Sequence, residues 1–406
     1  MRSPVISFCL VGLLMLTTSA FGAAGLIDIG VLTPGPGGAP ESQVRAISPN
    51  GEFAVGYSTG ANAAGNTAIQ QPVVWVAKTG ALIQLPNPWD LNAQMTGVVI
   101  LPTGGSSAEA PYDGSPAVGM SGNLNNTAYM YKALQSDLAG GTLTRTCCLG
   151  AIGLYNTSGR QMNAADERWY TGARREGTNR AQIHRRDPNG TANSWQTGVS
   201  MINSVGGTGY NAMVGWDSGN TGGAHRALWL DRVNLSTQTP IPGGAHILSE
   251  GLGISPGGEP DRWFCGFDTD AGGATTQAFR WNSQHAAMTL LGRLPGDTQS
   301  QAIDINNAGI AVGVSAGAVE QAVVWDADGH IALLQDLLVA AGVNTSAWTR
   351  LTRATTLTDD GLTIGGSGVW AADGTTRGFI ATIPEPATLL LVLGGLALVR
   401  RRQDCL

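Results

Sequence analysis

One pattern constrains this chain more than any other. A short apolar strand, an Asn/Gly turn and a second strand ending in Val-Gly return along most of its length. Ala46-Ile47-Ser48-Pro49-Asn50-Gly51-Glu52-Phe53-Ala54-Val55-Gly56 matches Ala302-Ile303-Asp304-Ile305-Asn306-Asn307-Ala308-Gly309-Ile310-Ala311-Val312-Gly313. A glycine at the matching place recurs at Gly56, Gly119, Gly172, Gly215, Gly266, Gly313 and Gly365, at intervals of 43 to 63 residues. Self-similarity at such a spacing means that each repeat is one supersecondary module, which buries its apolar surface only by stacking on its neighbours.

Each of these glycines is followed by a strand that mostly closes on an aromatic residue: Trp75, Tyr131, Trp229, Trp281 and Trp325, with His184 and Ile380 in the two degenerate copies. In the clearest copies a turn and a fourth strand follow, as in Asp326-Ala327-Asp328-Gly329 and then Ile331 to Leu334. Four short strands per repeat is the content of a propeller blade. The composition agrees, since 58 glycines and 19 prolines in 406 residues with only 13% charge fit neither a helical bundle nor a disordered chain. The fifth repeat ends in a fourth strand and exit, Leu290 to Gly296, whereas the seventh stops at Ile383. The missing strand is expected from the other end, so that Leu26 to Leu32 completes the blade built from Trp348 to Ile383. An open ring would leave unpaired edges. The expected fold is all-β: a seven-bladed β-propeller over residues 23–383, closed by the N-terminal strand, plus a short C-terminal membrane-spanning helix.

The two ends read as addresses. Residues 1–22 combine Arg2, the apolar run from Val5 to Leu16 and a small-residue stretch to Gly22, the pattern of a secretory signal. At the far end, residues 384–402 hold Pro384-Glu385-Pro386, a nearly all-apolar run to Val399 and the triplet Arg400, Arg401 and Arg402, followed by the tail 403–406. The run is short for a bilayer, and the arginines orient the C-terminus to the cytoplasm. These three parts in order resemble the PEP-CTERM sorting signal of Gram-negative bacteria. The resemblance implies an exosortase-like membrane processing enzyme as partner, transient anchoring in the inner membrane, and release to the cell surface or the extracellular space. Cleavage after Gly22 and after Pro386 takes away four arginines and one aspartate and moves the net charge from −6 to −9. Such an acidic body does not seek nucleic acid.

The repeats themselves, with Leu-x-x-Leu-x-Gly exits, Ala-x-x-Ile starts, Val-Gly strands and the closing Ala278-Phe279-Arg280-Trp281, resemble the HAF family of bacterial extracellular repeats. The likeness spans most of Ala24 to Ile383, strongest from Leu248 to Leu338 and weak between Pro111 and Gly198. It implies a propeller-like surface protein and no catalytic residue.

Groups that could carry chemistry are few. The five histidines show no metal-ligand spacing, so no metal or other cofactor is expected. Asp268-Thr269-Asp270, Asp326-Ala327-Asp328 and Asp359-Asp360-Gly361 lack the full calcium loop and suit hairpin turns. Cys147 and Cys148 remain with Cys265 after processing; either could pair with Cys265, or the neighbours with each other. The periodic tryptophans fit wedges between blades, whereas Trp89, Trp195, Trp216 and Trp370 stand outside that slot as ligand candidates. One basic cluster stands out: Arg168, Arg174, Arg175, Arg180, Arg185 and Arg186, a candidate patch for an acidic extracellular polysaccharide. The expected function is therefore a non-enzymatic structural or binding protein of the cell surface or matrix, associated with exopolysaccharide and biofilm. The alternatives are a propeller-type glycan-active hydrolase or lyase and a calcium-dependent lectin-like binder.

Overall fold

The computed structural model describes residues 24–383 except 88–89, 102–116, 125–126, 142–146, 153–156, 163–168, 175–180, 187–191, 197–200, 207–211, 218–224, 232–237, 243–247 and 259. The expected N-terminal signal and the expected C-terminal sorting segment with its membrane-spanning helix fall outside the described residues. Among the described residues no helix is long and apolar enough to cross a membrane.

The described residues open with β1 (Gly25–Asp28) and then fold into one antiparallel meander after another. The first is β2 (Ser42–Ile47), β3 (Phe53–Ala61), β4 (Ala68–Val76) and β5 (Ala81–Gln84). The second is β6 (Ala93–Leu101), β7 (Ala117–Leu124) and β8 (Thr127–Leu134), with helix α1 (Gln135–Ala139) before β9 (Cys147–Ile152). Then come β10 (Thr157–Met162), β11 (Trp169–Arg174), β12 (Ala181–Arg186) and β13 (Ala192–Gln196), and β14 (Met201–Gly206), β15 (Ala212–Asp217), β16 (Arg226–Asp231) and β17 (Gln238–Pro240). One eight-stranded sheet follows, with β18 (Leu248–Ile254), β19 (Trp263–Thr269), β20 (Thr276–Asn282) and β21 (Thr289–Leu290), then β22 (Gln299–Ile305), β23 (Ala311–Ala316), β24 (Glu320–Trp325) and β25 (Ile331–Leu333). Its two meanders share a ladder only at the parallel bridge of Thr276 with Gln299, and each otherwise forms a sheet of its own. After helix α2 (Leu334–Ala340), the last sheet runs through β26 (Trp348–Leu357), β27 (Thr363–Trp370) and β28 (Thr376–Thr382) and takes β1 as its outer strand, Gly25 opposite Thr382 and Asp28 opposite Phe379.

The first strands of successive meanders, β2, β6, β10, β14, β18, β22 and β26, pack each on the next, and β26 packs back on β2. The apolar cores consequently lie between sheets. Phe53, Val55, Val74 and Val76 meet Met95, Val118 and Met120 in one layer; Cys265, Ala278 and Leu291 meet Ala302, Val323 and Trp325 in another; Ile29 and Ile380 meet Val44, Ala54 and Trp75 across the first and last sheets. Strands covered on both faces lose the in-out alternation, which is why β4 ends in six consecutive buried residues. The periodic Trp325 is fully buried as the wedge between two sheets, and its indole N–H donates to the Gly292 carbonyl of the preceding exit at 3.0 Å.

The recurring glycine has a specific cause. Each first strand carries a β-bulge, for instance between Val44 and Ala46, Gly251 and Gly253, and Ala302 and Asp304. In these three sheets a Cβ on the glycine of the second strand would overlap the carbonyl oxygen just before the bulge: Gln43 for Gly56, Glu250 for Gly266 and Gln301 for Gly313. The same test corrects two positions. In the second meander the glycine facing the bulge carbonyl is Gly122, against Gln94, and not Gly119, which pairs with Val99; in the last it is Gly366, against the Arg353 carbonyl, while its neighbour Gly365 is crowded instead by the Val44 and Thr356 side chains. Three strand expectations change as well. The closing strand is Gly25–Asp28, with Ile29 to Leu32 beyond the ladder; the fourth strand of the fifth repeat is only Thr289–Leu290; and the strand expected to reach Leu334 stops at Leu333. Leu334 and Leu338 lie one helical turn apart, both fully buried, so α2 seats them against the layer below.

A methyl group at Gly313 is expected to destabilise the fold by roughly 2 kcal/mol or more, because backbone must move to admit it. Gly272, in an open turn with ordinary backbone geometry, should accept alanine within about 0.5 kcal/mol. Chemical denaturation of Gly313→Ala and Gly272→Ala checks this, and equal stabilities would remove the bulge argument.

Candidate functional site

Where the last and first sheets meet, their leading strands bring arginines to one opening. β2 contributes Gln43 and Arg45, β26 contributes Arg350, Thr352 and Arg353, and Glu320 enters at the start of β24. They line a cavity of about 450 Å³. Arg45 is the bulged residue of β2, and β26 has further bulges between Trp348 and Arg350 and between Leu351 and Arg353, so the pleat is broken where the arginines gather. Arg353 is paired, its Nη2 at 2.7 Å from Glu320 Oε1. Arg45 lies 5.8 Å from the centroid of the Tyr57 ring, and the Nε atoms of Arg45 and Arg350 are buried without a hydrogen-bond acceptor. Burial holds the Arg45 guanidinium below its ordinary pKa, with Arg353 adding to the shift and Tyr57 opposing it, while burial raises the Tyr57 phenol. An arginine stays ionised under such a shift. Three guanidinium groups against one carboxylate make this cavity cationic in an acidic protein.

Other arginines are committed to structure. Arg280, in the Ala-Phe-Arg-Trp closing, donates to the carbonyls of Gly309, Asp326 and Ala327 at 2.9, 3.0 and 2.6 Å and so ties the turns of the next meander. Arg377 spans Asp28 at 3.1 Å and Asp373 at 3.3 Å beneath Trp370, joining β1 to β28.

The basic cluster singled out in the sequence is divided. Arg168, Arg175 and Arg180 lie outside the described residues. Arg174 stands opposite Ala181, Arg185 opposite Tyr170 and Arg186 opposite Trp169, so register gives Arg174 and Arg185 one parity and Arg186 the other. Of the candidate tryptophans, Trp216 stacks on His225 at 3.6 Å, with His225 Nδ1 in turn 2.7 Å from Glu250 Oε1, and Trp370 packs edge-on against Trp348. Trp89 lies outside the described residues, and Trp195 sits opposite Ile183 in β13. The acidic turns behave as turns. Asp270 accepts from the Ala274 and Thr275 amides, Asp326 from the Asp328 and His330 amides, and Asp360 from the Leu362 amide. Asp326, Asp328 and His330 do bring three potential metal ligands within 4.8 Å of one another, all exposed. Cys265 is free and fully buried between sheets, which sets aside its pairing with Cys147 or Cys148; burial, with Asp304 nearby, pushes its thiol well above the ordinary range.

The sequence pass missed Arg45, Arg350 and Arg353. A usable signal was present, because both Arg45 and Arg350 fall in first strands of repeats that the closure argument makes neighbours. It also missed Asp304. That residue is only partly covered as a whole, but its carboxylate is enclosed between two sheets, accepting from the Leu357 amide at 3.1 Å, from its neighbour Ile305 and from the Thr356 hydroxyl. Thr356 also accepts from the Ile47 amide at 3.3 Å, so a single relay links three successive leading strands.

No protein-family model and no curated protein matches the sequence. Solved structures do. An oligogalacturonate lyase from Vibrio parahaemolyticus aligns with a TM-score of 0.52 at 9% identity, over 89% of this chain and 98% of its own. An oligogalacturonate lyase in complex with manganese aligns at 0.50 and 11%, over 90% and 95%. The β-propeller domain of the trilobed protease from Pyrococcus furiosus gives 0.49 and 10%, over 89% and 94%. The fold is a β-propeller. At such identities the likeness of a propeller to other propellers speaks for architecture alone.

Burial raises the Asp304 carboxyl to about 6, against the hydrogen bonds that favour its charged form. The folded propeller thus holds a proton that the unfolded chain has already released above its ordinary carboxylate pKa. The sign follows: this residue's contribution is fully present below about pH 4 and is lost as pH rises through about 6, a change on the order of 2–3 kcal/mol. Thermal melts of the protein and of Asp304→Asn between pH 4 and 8 test this. The difference between the two should vary with pH in that window, and parallel curves would refute the assignment.

Proposed function

We propose that this chain is a seven-bladed propeller exported through its N-terminal signal, sorted through Pro384, Glu385 and Pro386 with Arg400, Arg401 and Arg402, and held at the cell surface or in the matrix as a structural, exopolysaccharide-binding protein. Seven units follow if the eight-stranded sheet is counted as two meanders joined by one bridge, and the ring of leading strands supports that count. The observation that carries the binding reading is the cavity of Arg45, Arg350 and Arg353, because an acidic protein that gathers guanidinium groups at one opening is built for an anionic partner. The repeated glycines, serines and tryptophans serve packing, which fits a scaffold. The proposed partners are an exosortase-like processing enzyme and an acidic extracellular polysaccharide.

A hydrolase or lyase would need acids, a nucleophile or a metal converging on one opening. The described lining of the arginine cavity includes one carboxylate, Glu320, which is already paired with Arg353. Polygalacturonate incubated with the protein is expected to gain no new reducing or unsaturated ends, and calcium to leave the melting temperature unchanged. Chain cleavage would restore the enzyme reading, and a calcium shift the lectin one.

For the address, replacing Pro384, Glu385 and Pro386 by alanine is expected to leave full-length protein in the inner membrane, as read by fractionation and immunoblotting. Undiminished release would overturn the sorting proposal.

A further inference from the structure

Building on the reading of an anionic-glycan binder, we propose that the cavity between the last and first blades is a carboxylate site for one uronate unit of such a glycan, and that its occupant clamps the seam where the ring closes. The chemistry is in the donors. Arg45 and Arg350 come from different blades, and each has a buried Nε with no acceptor. A buried donor without a partner is costly unless something supplies one. Arg353 differs, since Glu320 already satisfies one end of it, and that pairing holds it beside the opening without neutralising the other two arginines. A carboxylate offers two oxygens in the plane that a guanidinium fork matches, and an arginine from each side can share it. Of the remaining lining, Gln43, Thr352, Ser367 and Thr376 supply the hydroxyl and amide groups that a sugar ring uses, beside the apolar Val369.

The place of the cavity adds a second consequence. Gln43 and Arg45 belong to the first blade, whereas Arg350, Thr352 and Arg353 belong to the last, whose outer strand is β1. These two blades are held together by contacts between residues remote in sequence, such as Gly378 N–H to the Ser42 hydroxyl at 3.0 Å and the Thr355 hydroxyl to the Val44 carbonyl at 2.8 Å. A ligand held by arginines on both sides exists only when the ring is closed, so its binding energy adds to closure by mass action.

The test uses the full chain, titrated by calorimetry with polygalacturonate, with neutral dextran and with dextran sulfate, each repeated as a thermal melt. The expected results are binding to polygalacturonate, none to dextran, and a melting temperature that rises with polygalacturonate concentration. Arg45→Gln/Arg350→Gln should lose at least tenfold in affinity and lose the thermal shift, while remaining folded without ligand, because the buried Nε atoms forfeit no hydrogen bond and the contact given up is that of Arg45 with the Tyr57 ring. Arg45→Lys/Arg350→Lys, which keeps charge but not the fork, should also weaken binding and so separates geometry from charge. If that double glutamine variant binds like the parent while Arg174→Ala/Arg175→Ala/Arg180→Ala does not, the glycan-binding reading stands and the seam site is wrong. A parent chain that binds none of the three polymers overturns both. Equal binding to dextran sulfate and polygalacturonate, undisturbed by the lysine changes, would reduce the cavity to a general anion trap and overturn the uronate assignment.

Discussion

The extra residue in each leading strand is the constraint on which the rest of the molecule depends. A bulge turns one carbonyl toward the second strand, and only a residue without a Cβ leaves it room, as at Gly56, Gly122, Gly266, Gly313 and Gly366. It also frees one side chain from the pleat to reach sideways. The bulged Asn203 donates to the Gly251 carbonyl of the next leading strand, and the bulged Thr355 does the same to the Val44 carbonyl. One local irregularity, repeated, therefore fixes the register within a sheet and the contact between sheets.

Those contacts explain why particular serines recur with the glycines. Ser42, Ser249 and Ser300 occupy the same place in their strands, two residues before the residue that opens the bulge. Their hydroxyls accept the amides of Gly378, Ala227 and Ala278 in the preceding sheet. The hydroxyls of Ser58 and Ser315 accept the amides of Leu32 and Leu294, the leucines of the exit segments. Large apolar residues fill the layers, while these small hydroxyls satisfy backbone donors that a sheet edge would otherwise bury unpaired.

The repeat and the pairing of its two ends were legible in the sequence because they follow from periodicity and from the need to cover edges. Which glycine faces the bulge carbonyl was not legible in two copies. Gly119 follows Val118 as Gly56 follows Val55, and Gly365 stands beside Gly366, so only the position of the bulge chooses between neighbours. The first residue of helix α2, Leu334, fell within the expected strand because Leu333-Leu334 continues an apolar run, and the choice depends on which layer Leu338 meets. The arginine cavity was hidden for a different reason. Charge clusters are sought along the chain, and Arg45 and Arg350 become neighbours only through closure, whereas in the compact run Arg174 and Arg185 take one parity of their strands and Arg186 the other.

The pairing of β1 with β28 also sets an order of events. The strand made first waits for the strand made last, since Gly25 through Asp28 find their partners only at Phe379 to Thr382. A chain threaded through a secretion channel from its N-terminus cannot complete its ring until nearly the whole repeat domain has crossed. Until then β1 has no ladder partner. Under the export proposed above, closure of the ring would therefore fall late, when the residues just before the Pro384-Glu385-Pro386 tripeptide arrive.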